Sequence, residues 1–466
     1  MKLLLFLDDW FLDSKIDIVR NFSKAVPVSI PPETLCFGRC SIIYDEEKRR
    51  YFAIGKPLSL YSNPEIPPTL YTSTDGINWK KEKKELKFRF SNQSKKKLSF
   101  SVGYPFEQGL FYDRWDKNSN RRYKMLLWPY TKGIEGGPGL IAYSSDGITW
   151  YINPKYKWYT HPNGSDTNNN IFYNPFTRRW CVICRKWNTD RRVAIVESED
   201  LENWTEPRVI LHPDTSDDPF LQFYGMEAIL YEDEYFIGIV QCFHVPMQEI
   251  NEWSKGRIKM QGKVDTQLTY SYDGEYWLRS DRSTIIPKAE PGSYGYSCIY
   301  PHSIVDSPDK KKIYIYSIGT LQDHGIGGFK KPKGYPSQEA LMLHTLRRDG
   351  FAYLEPVGGW GQFTTRTLVP KSGKLTVNYQ APVGQVLVQV TDSKRKVIPG
   401  YSFKDCVPLQ GDEIYGKVIW KTRKDLSELV NKPIHLEFRL FDARIYAVRL
   451  DCGLWYTNTP KPIERI

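Results

Sequence analysis

Two turn motifs alternate along this chain, five times each, and such an alternation admits few folds. The first is S-x-D-G-x-x-W. It reads Ser73-Thr-Asp-Gly-Ile-Asn-Trp79, Ser145-Asp-Gly-Ile-Thr-Trp150 and Ser271-Tyr-Asp-Gly-Glu-Tyr-Trp277. Ser198-Glu-Asp-Leu-Glu-Asn-Trp204 replaces the glycine, and Arg348-Asp-Gly-Phe-Ala-Tyr353 is a weaker fifth copy. Asp-Gly favours a tight hairpin because the turn demands positive φ. The second motif is a tyrosine-acid turn returning through basic and aromatic residues. It runs Tyr44-Asp45 to Arg50-Tyr51, Tyr112-Asp113 to Arg122-Tyr123, and Tyr173-Asn174 to Arg179-Trp180. Looser copies are Tyr231-Glu232 to Glu234-Tyr235 and Val305-Asp306 to Lys312-Ile313. Two hairpins per unit make four strands, which is one propeller blade, so five units predict a five-bladed β-propeller.

Beyond Gly373 the text changes to alternating apolar segments, Gln385-Val-Leu-Val-Gln-Val390, His435-Leu-Glu-Phe-Arg-Leu440 and Ile445-Tyr-Ala-Val-Arg-Leu450. This spacing predicts an antiparallel β-sandwich. The expected chain is all-β, with the propeller over 1–368 and the sandwich over 369–466.

Charge and cysteine usage narrow the function classes. The net charge of +11 sits in lysine runs beside turns, such as Lys80 to Lys84 and Lys330 to Lys333. A nucleic-acid binder gathers such charge on one face or element, so no nucleic-acid partner is expected. No segment approaches the roughly 20 apolar residues of a membrane span. The run Met1 to Leu7 is short for a signal peptide, so the expectation is a soluble chain with no export signal. Cys181 and Cys184 form a C-x-x-C within an apparent strand, where positions i and i+3 face opposite ways and cannot share a metal. Cys406 and Cys452 both fall in the C-terminal domain and could pair if the compartment is oxidising. No ligand spacing calls for a metal, and no cofactor is expected.

Propeller geometry places residues just before the first strand and just after the second of each blade at one rim of the central channel. Blade one contributes Glu33, Arg39 and Lys56 there, and blade two Tyr104, Glu107 and Trp128. Blade three contributes Asp166, Asn168, Arg185 and Trp187. Blade four adds Asp217, Asp218, Tyr224, Glu227 and His244, and blade five Tyr296, His302, Asp323 and His324. Acids, arginine, histidine and aromatic rings together suit cleavage of a glycosidic bond, which needs a proton donor and a second carboxylate. The expected catalytic carboxyls are Asp166, Glu227 and Asp218. Arg185, Trp187, Glu107, Tyr224, His244, His324 and Asp9 are the expected substrate contacts, with an oligo- or polysaccharide as partner. A non-catalytic glycan-binding or surface-attachment propeller is the alternative reading.

The segments Leu5-Phe-Leu-Asp-Asp9, Asp166-Thr-Asn-Asn-Asn170, Phe223-Tyr-Gly-Met226 and Leu346-Arg-Arg-Asp-Gly-Phe351 carry a family likeness, as does the tail from Ile398 to Asp412. With the order of five blades followed by a sandwich, the chain resembles the clan of glycoside hydrolase families 32, 43 and 68. It resembles most a group of family 32-like propeller proteins. The resemblance implies a glycosidase with three inner-strand acids, acting as nucleophile or base, stabiliser and general acid. The clan's W-M-N-D-P-N-G, R-D-P and E-C motifs are absent. Tyr294-Gly295 stands where the group has Trp-Asp.

Overall fold

A computed structural model describes residues 2–31, 37–57, 68–90, 109–127, 139–160, 165, 167–187, 190–245, 253–254, 257–258, 261–325 and 338–455. Side chains of 37–40, 56–57, 90, 187 and the strand pair within 253–258 are outside the description. Among the described residues helix is confined to two 3₁₀ turns, Ser119–Arg121 and Ser427–Leu429. No helix there is long and apolar enough to cross a membrane. The chain forms two compact units. One holds Lys24–Thr345, and the other Met1–Ser23 with Leu346–Ile466.

The larger unit is the five-bladed β-propeller. Blade one is Phe37–Asp45, Arg50–Pro57, Thr69–Ser73 and Lys80–Lys81. Blade two is Leu110–Tyr112, Tyr123–Leu127, Gly139–Ser144 and Thr149–Tyr159, with Lys87–Phe90 added in parallel at its outer edge. Blade three is Asn170–Asn174, Arg179–Trp187, Arg191–Ser198 and Arg208–Leu211. Blade four is Leu221–Tyr231, Tyr235–His244 and Lys263–Ser271, and blade five Cys298–Asp306, Lys312–Thr320 and Glu339–Arg347. The first strand of each blade meets the first strands of both neighbours in cyclic order, Cys298–Asp306 returning to Phe37–Asp45. The ring is closed by the chain's own start. Val26–Val28 pairs antiparallel with Leu343–Thr345 as the outermost strand of blade five.

Apolar residues pack between blades, so inner strands such as Leu221–Tyr231 and Tyr235–His244 are buried on both faces, while the outer strand Lys80–Lys81 is exposed. One cluster joins Phe52 and Leu70 of blade one to Met125 and Trp150 of blade two. Another joins Leu126 and Trp158 to Val182 and Val196. Cys184 lies in this cluster while Cys181 lies in the next, between blades three and four, as expected for i and i+3 on a strand. The tyrosine-acid turns tie neighbouring blades together. Asp45 accepts from the Tyr123 hydroxyl, and Asp113 accepts from the Trp180 indole at 2.6 Å. Tyr51 closes the circle by donating to the Asp306 carbonyl at 2.6 Å.

The S-x-D-G-x-x-W turn has one geometry in four copies. In the first, Ser73 Oγ accepts from Gly76 N, Asp75 Oδ1 accepts from Ile77 and Asn78 N, and Trp79 Nε1 donates to the Gly76 carbonyl. Ser144, one residue before Ser145, has the serine role in the second copy. Leu201 takes the glycine position of the variant copy at φ 68°. The fifth copy does not close a blade. Arg348 to Tyr353 belongs to the smaller unit, where Ala352–Pro356 pairs with Ile18–Phe22 and Asp349 forms a bidentate ion pair with Arg449. An Asp-Gly turn is a local signal and does not choose which strands pair beyond it.

The smaller unit is an antiparallel sandwich whose strands form one continuous eleven-stranded sheet. Thr376–Asp392 joins its two parts. Its first residues pair with Arg444–Arg449 and Leu409–Lys417, and Gln385 to Asp392 pair with Ile434–Phe441. Leu3–Leu5, Leu12–Ile16 and Ile18–Phe22 are also strands of this sheet. The compact units therefore divide elsewhere than at the expected 368/369, because both chain ends and residues 346–368 pair here. Cys406 and Cys452, which could pair in an oxidising compartment, are not joined to each other; both are buried, and Cys406 accepts from Val388 N.

Candidate functional site

A buried polar network lies where the inner strands of blades three, four and five meet. Its centre is Glu227, 5% exposed, in Leu221–Tyr231. Asn168 Nδ2 donates to Glu227 Oε2 at 2.7 Å, and Asn170 Nδ2 donates to Oε1 at 2.9 Å. The Pro301 carbonyl of blade five accepts from Gln241 at 3.0 Å and from Asn168 at 3.4 Å. A β-bulge between Phe223 and Gly225 offsets the strand here. Gly225 is required at that point, since a Cβ would lie 2.2 Å from Thr167 Oγ1. The close approach lets the Thr167 hydroxyl donate to the Tyr224 carbonyl at 2.7 Å.

Burial pushes the Glu227 carboxyl well above its ordinary range, and the bond from Asn168 only partly opposes it. Both hydrogen-bonding side chains are neutral amides, so their donated bonds favour the carboxylate only weakly and no cation adds to them. Two further acceptors, Asn170 Oδ1 and Gln241 Oε1, are buried with no hydrogen-bond partner among the described residues. A protonated carboxyl flanked by such acceptors can hold and deliver a proton. Amide orientations in networks of this kind are interchangeable, so a rotated Asn170 would accept from Glu227 instead.

A second group brings together three expected residues, Arg185, Tyr224 and His324. Arg185 is fully buried, its guanidinium 4.8 Å from the Tyr224 ring centroid. His324 meets Tyr224 edge-on at 4.6 Å, and its Nδ1 is 2.9 Å from the Tyr300 hydroxyl. Arg191 lies over Phe243 at 5.0 Å and over Tyr224 at 5.6 Å. His244, at the end of Tyr235–His244, pairs through Nε2 with Asp265 at 2.9 Å.

The remaining expected residues are placed differently. Asp218 is exposed and caps a turn by accepting from Phe220 N at 2.8 Å. The side chain of its neighbour Asp217 is 3% exposed and clamped by Arg279 and Arg282. Asp9 belongs to the smaller unit, where it pairs with Lys15 and Arg20. Asp166 and Glu107 lie outside the described residues, as does the side chain of Trp187. Sequence reasoning missed Asn170, Gln241, Arg191, Tyr300 and Asp265. Gln241 had a usable signal as the one amide in the otherwise apolar run Tyr235 to Phe243. Among the described residues no cluster of three or more His, Cys, Asp or Glu is arranged to hold a metal.

No family model matches the sequence, and no curated protein matches it. Solved structures do resemble the chain. A thermostable family-43 glycoside hydrolase is 11% identical at TM-score 0.47, covering 69% of this chain and 92% of its own. An N-acetylgalactosamine deacetylase from F. plautii is 15% identical at TM-score 0.45, covering 73% and 95%. An exo-β-1,3-galactanase from Phanerochaete chrysosporium is 11% identical at TM-score 0.42, covering 93% and 100%. At these values the likeness assigns neither substrate nor residue to this chain.

Proposed function

We propose that this protein is a glycoside hydrolase in which Glu227 delivers the proton to the leaving oxygen. The observation that carries this reading is a carboxyl enclosed at the meeting of three inner strands and bonded only to neutral amides. A general acid must hold its proton near neutral pH, and burial without a cationic partner provides that. The second carboxyl required for hydrolysis is assigned to Asp166, two residues before Asn168 and so next to the same network in sequence. Separations of about 5–5.5 Å or about 6.5–9.5 Å between the two would mean retention or inversion respectively. Arg185, Tyr224, His244 and His324 are the proposed sugar contacts, with aromatic faces for the ring and polar groups for hydroxyls.

A non-catalytic glycan-binding propeller is the second reading, favoured by one fact. Among the described residues Glu227 has no carboxylate in its hydrogen-bond network. Turnover of a broad panel of aryl glycosides and polysaccharides by wild type, Glu227→Gln and Asp166→Asn separates the two. Loss of about a thousandfold in either variant with folding retained supports the hydrolase. Binding without turnover by the wild type supports the alternative.

A further inference from the structure

The smaller unit carries a groove of about 490 Å³, within the range of small-molecule sites. Its lining is mixed: carboxylates of Glu355, Asp412 and Asp442, the amide of Gln380, the guanidinium of Arg444, and the rings of Pro356 and Pro382. Four of these polar side chains, those of Glu355, Gln380, Asp412 and Arg444, are held in place before any ligand arrives. Tyr446 donates to Gln380 Oε1, Gln380 donates to Asp412 at 2.8 Å, and Arg347 pairs with Asp412 at 2.6 Å. On the other wall Glu355 accepts from Asn21 at 2.6 Å and from Arg444 at 2.8 Å. Side chains held by such bonds lose little further entropy on binding.

The charges choose the ligand class. Arg347 and Arg444 neutralise two of the three carboxylates, Asp412 and Glu355, so Asp442 leaves the lining one negative charge, which disfavours an anion, while the paired groups still present their oxygens and N–H groups. What remains is an array of donors and acceptors suited to neutral hydroxyls. The chain beside the groove adds apolar surface. Val383, next to Pro382, is 87% exposed, Val357, next to Pro356, is 67% exposed, and Trp360 is 44% exposed. A ligand with hydroxyl edges and C–H faces matches both features, and a sugar ring has both.

We propose that this groove binds a segment of a neutral glycan, independently of any chemistry at Glu227. The test is native affinity electrophoresis of the full chain through gels containing soluble mannan, arabinan, xylan, galactan or levan. Wild type and Glu227→Gln should be retarded equally by at least one polysaccharide. Arg444→Ala and Asp412→Ala should weaken that retardation by roughly tenfold or more in apparent Kd. Val383→Asp changes only an exposed side chain and should weaken it too, so a folding failure in the other variants does not remove the test. Absence of retardation on every polysaccharide would overturn the proposal. So would retardation unchanged in all three groove variants, or retardation lost in Glu227→Gln. Loss of turnover in Glu227→Gln with retardation intact would leave both readings standing, whereas retained turnover would sink only the assignment of Glu227.

Discussion

The side-chain amide of Asn168 donates to Glu227 at 2.7 Å across the boundary between blades three and four. That bond holds a carboxyl at the ring's centre without supplying the positive charge that would ionise it. The arrangement gives the protein a proton that folding itself retains.

Stability should record this. Folding raises the Glu227 carboxyl above its ordinary 4.5, so the native chain keeps a proton that the unfolded chain releases. The contribution is fully present below pH 4.5 and is lost as pH rises through the folded value. Thermal midpoints measured from pH 4 upward should therefore fall more steeply for wild type than for Glu227→Gln. Parallel curves would mean that Glu227 is ionised in the native state.

Between blades two and three, Lys124 is fully buried against Asp113 at 2.8 Å and Asp116 at 2.9 Å. Lys124→Met removes the cation and leaves the two enclosed carboxylates short of charge. The expected cost is about 3–5 kcal/mol in denaturant unfolding, because the loss of one partner exposes the full desolvation penalty of the other. Adding Asp113→Asn should recover part of that loss. An additive double variant would show that the pair is uncoupled.

Gly76 and Gly147 occupy equivalent turns at φ +75° and +79°, in different surroundings. A Cβ on Gly76 would lie 2.6 Å from the Tyr316 hydroxyl, whereas the nearest atom to one on Gly147 is at 3.6 Å. Gly147→Ala should cost about 1–2 kcal/mol from left-handed conformation alone. Gly76→Ala should cost about 2–4 kcal/mol, since overpacking adds to the same strain. Equal losses would mean that Tyr316 moves aside freely.

These residues also show what the sequence could and could not express. The turn glycines were legible because a positive φ constrains residue type within a few positions. Leu201 shows the limit of that rule, holding φ 68° while its side chain is fully buried between blades. Ring closure was not legible. Val26 pairs with Thr345, and nothing local in either segment names the other. For the same reason the last Asp-Gly turn looked like a fifth blade closure, although its strand pairs with residues near the N-terminus. At the candidate site, Glu227 stood out as an acid entering an apolar strand. Asn170 did not, since an asparagine run has a sufficient local explanation as a turn.

Asp217 and Asp218 are adjacent in sequence and opposite in role, which acid unfolding can separate. Asp217 is enclosed, and burial alone would raise its carboxyl. Arg279, the backbone N–H of Asp214 and Arg282 hold it down at about 2 instead. Its ordinary value is 3.8, so the native chain binds this proton less readily than the unfolded chain. The resulting stabilisation, about 2 kcal/mol, is fully present above pH 3.8 and disappears as pH falls through about 2. Asp217→Asn should therefore lower the denaturation midpoint at pH 6 and converge with wild type toward pH 2. Asp218→Asn keeps an oxygen to accept from Phe220 and leaves no buried cation unpaired, so its midpoint should barely move, its unfolding free energy staying within about 0.5 kcal/mol of wild type throughout. If Asp218→Asn instead abolished turnover while leaving that midpoint unchanged, this exposed acid would regain the catalytic role that its turn geometry does not require.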